Sequence, residues 1–153
     1  MTAGLPRRRH ALDTNVWIDG LRDEAAMEAL SAFLAAWTSI IVQPVIVVQE
    51  LLAGCRTDTE RRTIERFAVG PFERRGRLVA PSVGAWIESG AVLAHVAPRD
   101  TVPTRSLAND VLLAATCREH GIVLVTRNLR DFRRIGRHIA HDAVAPWPDP
   151  GRA

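Results

Sequence analysis

An unbroken apolar run, Ile122-Val123-Leu124-Val125, follows directly after a glycine and limits the folds open to this chain. A strand that is apolar at every position has both faces buried, as in a parallel sheet covered by helices. Further short strands are predicted at residues 8–13, 39–43, 77–80 and, at the edge, 138–140, with helical apolar spacing between them. This alternation predicts an α/β fold, a central parallel β-sheet of about four to five strands flanked by helices.

Capping residues and glycines predict where the helices begin and end. Ser, Thr, Asp and Asn favour helix N-termini, and glycine favours the position after the C-terminus. Thr57 and Glu60 form a capping box, Ser106 is the expected cap of the helix that Gly121 ends, and Gly70-Pro71 is expected to break the chain. The predicted helices are residues 15–21, 23–38, 44–53, 57–68, 82–93, 107–120 and 128–134.

Length and composition indicate one domain, because 153 residues are enough for a single well-filled core. We expect the domain to span residues 9–142, after a flexible basic leader at 1–8 and before a Pro-rich disordered tail at 143–153. No apolar run approaches the about 18 residues of a membrane span. Cys55 and Cys117 lack C-x-x-C spacing and are expected to be reduced, so we expect a cytoplasmic protein without membrane contact.

Four acidic residues lie where a carboxylate is costly unless a positive charge is near it. Asp13 follows the first strand, Glu50 interrupts an apolar helix, Asp110 opens a later helix and Asp131 follows the last buried strand. In a parallel sheet, ligands bind beyond the carboxyl ends of the strands. Several carboxylates there repel one another, and a hard divalent cation, Mg²⁺ or Mn²⁺, would relieve the repulsion.

Each acid also has an ordinary structural explanation. Asp13 can be a helix N-cap, and Glu50 can lie on a solvated stripe of its helix. Asp110 can interact with the positive end of the helix dipole, and Asp131 can pair with a neighbouring arginine. All four explanations holding at one end of one sheet is much less probable than a shared site.

Four segments, in order and at suitable spacing, carry a family resemblance. They are Leu12-Asp13-Thr14-Asn15, Val48-Gln49-Glu50-Leu51-Leu52, Asn109-Asp110-Val111-Leu112, and Val125-Thr126-Arg127-Asn128 with Asp131-Phe132. The chain resembles a single PIN-like domain, a PIN-domain ribonuclease of the VapC type, the toxin of a bacterial toxin–antitoxin pair. One position departs from the pattern, because the family often has an acid where this chain has Asn128.

The resemblance implies a Mg²⁺-dependent endoribonuclease in which metal-activated water cuts RNA, with Mn²⁺ as a possible substitute. Asp13, Glu50, Asp110 and Asp131 are the candidate catalytic residues, and the first three are the candidate metal ligands. Three polar residues are expected to support them: Asn15, Thr126 and Asn128. Water as the nucleophile predicts 5′-phosphate and 3′-hydroxyl products.

Partners follow from the resemblance and from the arginines. All 20 basic residues other than histidine are arginine, whose guanidinium binds phosphate bidentately. Arg127, Arg130, Arg133 and Arg134 are the candidate RNA-binding residues; the alternative is a solvated basic face or a surface for the antitoxin. The expected partners are RNA, a cognate antitoxin protein and a second copy of the chain, joined through the helices of residues 24–68.

Two other functions compete with this interpretation. A phosphatase of the haloacid dehalogenase type would need an aspartate two residues after Asp13, where this chain has Asn15. A catalytically weak PIN-like scaffold that binds RNA or protein is compatible with the amide at Asn128. The sequence does not identify the RNA, choose between Mg²⁺ and Mn²⁺, or decide whether one or two metals bind.

Overall fold

The computed structural model describes residues 7–99 and 102–148, and within them five short strands are all parallel. The strands are β1 (His10–Leu12), β2 (Gln43–Pro44), β3 (Leu78–Val79), β4 (Val123–Val125) and β5 (Asp142–Val144). One sheet has the order β1-β4-β5 and the other pairs β2 with β3. A parallel bridge between His10 and Ile41 joins β1 to the chain entering β2. The predicted α/β fold with a parallel sheet is confirmed.

The helices of the described chain alternate with these strands. They are α1 (Thr14–Gly20), α2 (Glu24–Trp37), α3 (Val45–Gly54), α4 (Asp58–Ile64), α5 (Gly70–Arg74), α6 (Val83–Val96), α7 (Arg105–His120) and α8 (Leu129–Ile135), with a π-helical turn at Glu65–Val69. Thr57 and Glu60 form the predicted capping box at α4. Gly121 ends α7 with φ of 65°, a conformation that side chains with a Cβ disfavour.

The core lies between the sheet and the helices and fixes the strand ends that carry polar residues. Leu12 and Leu124 are fully buried in neighbouring strands, and Trp17 and Leu113 pack in the same core. Gly20 allows α1 to approach α2, because a Cβ there would lie 2.8 Å from Leu30 Cδ2. The first turn of α1, which follows β1 directly, is therefore held firmly against the sheet.

Several predicted boundaries were wrong. Gly70-Pro71 does not break the chain: Pro71 lies in the first turn of α5, where its missing N–H costs nothing, and the helical path continues through the π turn. Thr104, not Ser106, caps α7, and its hydroxyl accepts from the Leu107 amide. Pro44 ends β2 and precedes α3 rather than opening it.

The last strand also lies elsewhere than predicted. Residues 138–140 form no strand; β5 is Asp142–Val144, so it includes two residues assigned to the tail. Residues 1–6 of the predicted leader and 149–153 of the predicted tail lie outside the described residues. None of the described helices combines the length and apolar character needed to cross a membrane.

Candidate active site

Asp13 lies at the carboxyl end of β1 and is almost fully buried, at 5% exposure. Its backbone N–H donates to Val125 O at 2.9 Å, which fixes it against the end of β4. Its carboxylate accepts from the Thr14 amide at 2.7 Å, Asn15 Nδ2 at 3.2 Å and Thr126 Oγ1 at 2.7 Å. Burial raises the pKa of Asp13, and these three donors partly oppose that shift.

Asn15 and Thr126 join the ends of the two central strands around Asp13. Asn15 Nδ2 also approaches Thr126 Oγ1 at 3.4 Å, and Asn15 Oδ1 accepts from the Arg127 amide at 3.2 Å. Thr126 Oγ1 in turn accepts from the Asn128 amide at 3.0 Å. The helix-cap explanation of Asp13 is correct as far as it goes, since Asp13 does cap α1, but the carboxylate also belongs to this wider network.

Glu50 is half-buried on α3 and lies within electrostatic reach of Asp13. Its pKa is raised first by burial and then by the Asp13 charge. The Arg105 charge and the Asn109 and Thr14 side chains act in the opposite direction. The solvated-stripe explanation of Glu50 is therefore wrong. Arg105 and Asn109 were not predicted as site residues, although Asn109 belongs to the segment Asn109-Asp110-Val111-Leu112 that carries the resemblance; Arg105 has no sequence signal beyond preceding Asp110 on the same helix.

Among the four acids, Asp110 has the most strongly raised pKa. Its pKa is raised to about 7, first by burial and then by the charges of Asp13, Glu50 and Asp131. Within the described chain its carboxylate accepts no hydrogen bond. Because α7 begins at Arg105, Asp110 lies in the second turn, where the dipole effect has faded. The dipole explanation of Asp110 is therefore wrong.

Asp131 lies in the first turn of α8 and completes the group. Asn128 Nδ2 donates to its Oδ2 at 2.9 Å. At the position where the family often has an acid, this chain therefore has an amide that orients the Asp131 carboxylate. The alternative of pairing with a neighbouring arginine is not seen among the described residues. The structure thus places Asp131 beside Asp110, as part of one acidic cluster of Asp13, Glu50, Asp110 and Asp131.

The acidic cluster offers only oxygen ligands, which suit a hard divalent cation such as Mg²⁺ or Mn²⁺. In the part of the chain that the structure describes, no three His, Cys, Asp or Glu side chains are already grouped as a metal-binding set. Mg²⁺ keeps several of its waters and needs few direct protein ligands. The cluster fits a cation because a divalent ion offsets the mutual repulsion of these carboxylates, which adds to burial in raising the pKa of Asp110.

The four candidate RNA-binding arginines differ in their surroundings. Arg127 Nε pairs with Asp19 Oδ2 at 2.5 Å, and Arg134 donates to the Val96 carbonyl. Arg130 and Arg133 are exposed on α8 and form no ion pair within the described residues. The sequence pattern alone did not reveal Asp19 as the partner of Arg127.

Two cavities adjoin the acidic cluster on different sides. One, of about 280 Å³, is lined by Asp110, Asp131 and Arg134 together with parts of α6 and α7. The other, of about 390 Å³, is a mainly apolar groove beside Glu50, lined by Ile18, Leu51 and Ile64 among others. The cluster is therefore open to ligands of two different chemical characters.

The family model of the PIN domain matches residues 11–138. The match covers most of the chain and includes every member of the acidic cluster. The chain therefore belongs to the PIN-domain family.

Solved structures share this fold at low sequence identity. FitAB bound to an IR36 DNA fragment is 20% identical with a TM-score of 0.65, over 91% of this chain and 96% of that one. DNA-bound VapBC from Salmonella typhimurium is 22% identical with a TM-score of 0.63, over 91% and 98%. VapBC2 from Rickettsia felis, bound to a promoter DNA fragment, is 19% identical with a TM-score of 0.61, over 91% and 98%. No curated protein matches the chain in sequence.

Proposed function

We propose that this chain is a divalent-metal-dependent endoribonuclease, a toxin of the VapC type, which uses Mg²⁺ and accepts Mn²⁺. The meeting of four carboxylates at the carboxyl edge of the sheet, with Asp13 fixed against the end of β4 and Asp110 and Asp131 lining one cavity, is the observation that carries the proposal. Membership of the PIN family supports the reaction class, because VapC-type PIN proteins are nucleases.

Asp13, Asp110 and Glu50 are the residues that would hold the metal, directly or through water. A bound divalent ion lowers the pKa of a water and offsets negative charge on the phosphate. Asp13 is the anchor of the set, because three hydrogen-bond donors and two strands fix its position. Asp110 gains most from the ion, because burial and three neighbouring acids disfavour its charge.

Glu50 and Asp131 would also act on the attacking water. Glu50 is half-buried with a raised pKa, so its carboxylate is suited to accept a proton from the water. Asp131 faces Asp110 and is held by Asn128, so it can orient a water on the other side of the cluster. Because water attacks instead of the ribose 2′-hydroxyl, the products carry 5′-phosphate and 3′-hydroxyl ends.

The RNA backbone would approach along α8. Arg130 and Arg133 are exposed and free to contact phosphates near the acidic cluster. Arg127 can contribute only when it leaves Asp19, and Arg134, which is also exposed, contributes where it lines the cavity of about 280 Å³. This arrangement supports Arg130 and Arg133 as the first backbone contacts.

We further propose that this protein is cytoplasmic and that it binds a cognate antitoxin. The structural neighbours VapBC and FitAB are two-component assemblies, which supports a partner of that kind for this chain. The groove beside Glu50 combines the exposed side chain of Ile18 with the acids Glu50 and Glu60. An antitoxin segment with apolar residues and an arginine would complement that groove and block the acidic cluster.

A homodimer is the remaining expectation. The face that supports it lies on α6 instead of the predicted helices of residues 24–68, because Val83, Trp86 and Ile87 are exposed at i, i+3, i+4 spacing. The molar mass in solution tests this proposal. Trp86→Glu should convert a dimer to a monomer, and a wild-type monomer would contradict the proposal.

Cleavage of labelled single-stranded RNA tests the proposed function directly. We expect cleavage with Mg²⁺ or Mn²⁺, none with EDTA, and 5′-phosphate ends in the products. Asp13→Asn and Asp110→Asn should each remove the activity, while Asp58→Asn, at an exposed acid of α4, should retain it. Activity that survives in both active-site variants would contradict the assignment.

A catalytically weak scaffold is the second candidate, and Asn128 is the observation that favours it. In that case the wild-type protein would bind RNA with Mg²⁺ present and leave it intact. Asn128→Asp would then create or raise cleavage, whereas an already active nuclease would change little.

A further inference from the structure

The 280 Å³ cavity next to Asp110 and Asp131 has a lining that differs from the rest of the cluster. Its walls are the apolar side chains of Val96, Leu107 and Ile135. Two hydroxyl residues, Thr104 and Ser106, lie at the start of α7 on one side. Arg134 closes another side and is fixed there by donation to the Val96 carbonyl.

The charges of the lining decide which part of a nucleic acid can enter. Among the residues that the structure describes, two carboxylates, from Asp110 and Asp131, and one guanidinium, from Arg134, line the cavity. A phosphate would meet more negative than positive charge there. A neutral, planar group with hydrogen-bonding edges meets apolar walls, hydroxyls and an arginine plane, the surroundings in which unpaired bases are bound.

We propose that this cavity is a binding site for one unpaired nucleobase of the RNA. The inference rests on the proposed function for its substrate class. The cavity shares Asp110 and Asp131 with the acidic cluster, so a base bound in it belongs to the nucleotide next to the phosphate that is cut. The base comes from an unpaired nucleotide, since a paired base cannot leave its stack without cost.

Arg134 has a role here that the other arginines of α8 do not share. It lines the cavity, whereas Arg127 pairs with Asp19 and Arg130 and Arg133 line none of it. Only part of its guanidinium is engaged by the Val96 carbonyl, since arginine has five N–H donors. Arg134 therefore acts as a base-positioning residue as well as a cation.

Free nucleosides test the site without any need for cleavage, because they carry no phosphate. We would titrate adenosine, cytidine, guanosine and uridine, and separately ribose 5-phosphate, into the isotope-labelled full chain with EDTA present. At least one nucleoside should bind in the millimolar range and shift the amide signals of Leu107 and Ile135. Ribose 5-phosphate should not shift them.

Variants distinguish nucleoside binding in the cavity from nonspecific binding to exposed arginines elsewhere. Ser106→Trp, at an exposed position of the first turn of α7, fills the cavity and should weaken nucleoside binding by about tenfold or more. Arg134→Ala should do the same. Arg62→Ala, at an exposed arginine of α4 outside the cavity, should bind nucleosides as the wild type does. If Arg134→Ala fails to fold, Ser106→Trp decides alone.

Two results would overturn the proposal. In the first, the amide signals of Leu107 and Ile135 do not shift even when the nucleoside concentration is well above millimolar. In the second, Ser106→Trp binds nucleosides as tightly as the wild type does. Failure of the proposed function gives a different result, nucleoside binding by a protein that does not cut RNA. In an active enzyme, the base preference next to the cut should be present in the wild type and lost in Ser106→Trp.

Discussion

Asp13 and Asp110 belong to one acidic cluster but are supported in opposite ways. Asp13 accepts three hydrogen bonds and caps α1, so its charge is answered by the fold itself. Asp110 accepts none among the described residues, and its pKa is raised by burial first and then by three other acids. The difference predicts a division of labour in the proposed metal site: Asp13 would fix the position of a cation, and Asp110 would contribute charge repulsion that the cation relieves.

The largest effect is expected on RNA cleavage, which substitution of either Asp13 or Asp110 should lower, whereas the two substitutions should change stability in opposite directions. Asp13→Ala and Asp110→Ala should each lower RNA cleavage by on the order of 10³-fold, because metal stabilisation of the transition state is lost. Their effects on unfolding in EDTA should have opposite signs. Asp13→Ala should lower the free energy of unfolding by about 1–2 kcal/mol through the lost cap, and Asp110→Ala should raise it.

Denaturant unfolding in EDTA measures these free energies, with cleavage assays on the same preparations. Equal destabilisation by both substitutions would remove the distinction between the two acids.

The pH dependence of stability sharpens the comparison further. The pKa of Asp110 is raised to about 7 in the folded protein, so the folded state binds the proton more tightly than the unfolded chain. Its contribution is therefore favourable below pH about 4, is lost as pH rises to about 7, and is absent above it. At about 1.4 kcal/mol per pKa unit the upper bound is about 4 kcal/mol, and solvent screening reduces it.

The test compares wild type with Asp110→Asn in EDTA between pH 5 and 8. The wild type should lose more stability with rising pH than the variant does, and Mg²⁺ should restore it. Parallel curves for the two proteins would show that Asp110 carries no excess repulsion.

Substitution of Thr126 tests how much the hydrogen bonds to Asp13 contribute to metal affinity and activity. Thr126→Val removes the buried hydroxyl that donates to Asp13 Oδ2 and accepts from the Asn128 amide. Loss of such an outer partner should lower metal affinity or activity by about 10–100-fold. Thr126→Ser retains the hydroxyl and should recover most of the activity. Metal titrations and cleavage rates provide the measurement, and an unchanged Thr126→Val protein would contradict the role.

The smallest effect is expected at Asn128. Asn128→Asp adds a fifth acid near Asp131 and removes the amide that now holds it. We expect Mg²⁺ affinity to rise by roughly threefold, and stability in EDTA to fall slightly, because the new carboxylate repels the cluster. Calorimetric titration of Mg²⁺ and thermal unfolding check the two signs. Weaker Mg²⁺ binding would show that orientation of Asp131 matters more than charge.

The sequence predicted features that depend on local chemistry. The capping box at Thr57, the αL glycine at Gly121 and the buried strand before Thr126 follow from short-range rules, and all are present. The acids at strand ends were predictable because parallel strands bring their carboxyl ends to one edge.

Features set by tertiary contacts could not be predicted in the same way. The Asp19–Arg127 pair joins residues far apart in sequence, and the effect of Arg105 on Glu50 depends on how α3 and α7 pack. Strands of two or three residues, such as β5, have too little pattern to place by periodicity. The helical path through Pro71 depends on the π turn before it, in which the Ala68 carbonyl accepts a hydrogen bond from the side-chain amide of buried Gln43.

The Asp19–Arg127 ion pair has a consequence for how the protein responds to ionic strength. The salt sensitivity of binding to single-stranded nucleic acid reflects the number of phosphates neutralised, with a slope of about −0.7 per contact. A guanidinium already matched by the chain's own carboxylate displaces few counterions from RNA. The proposed binding of RNA by this arginine-rich chain should therefore weaken less with added salt than its composition suggests.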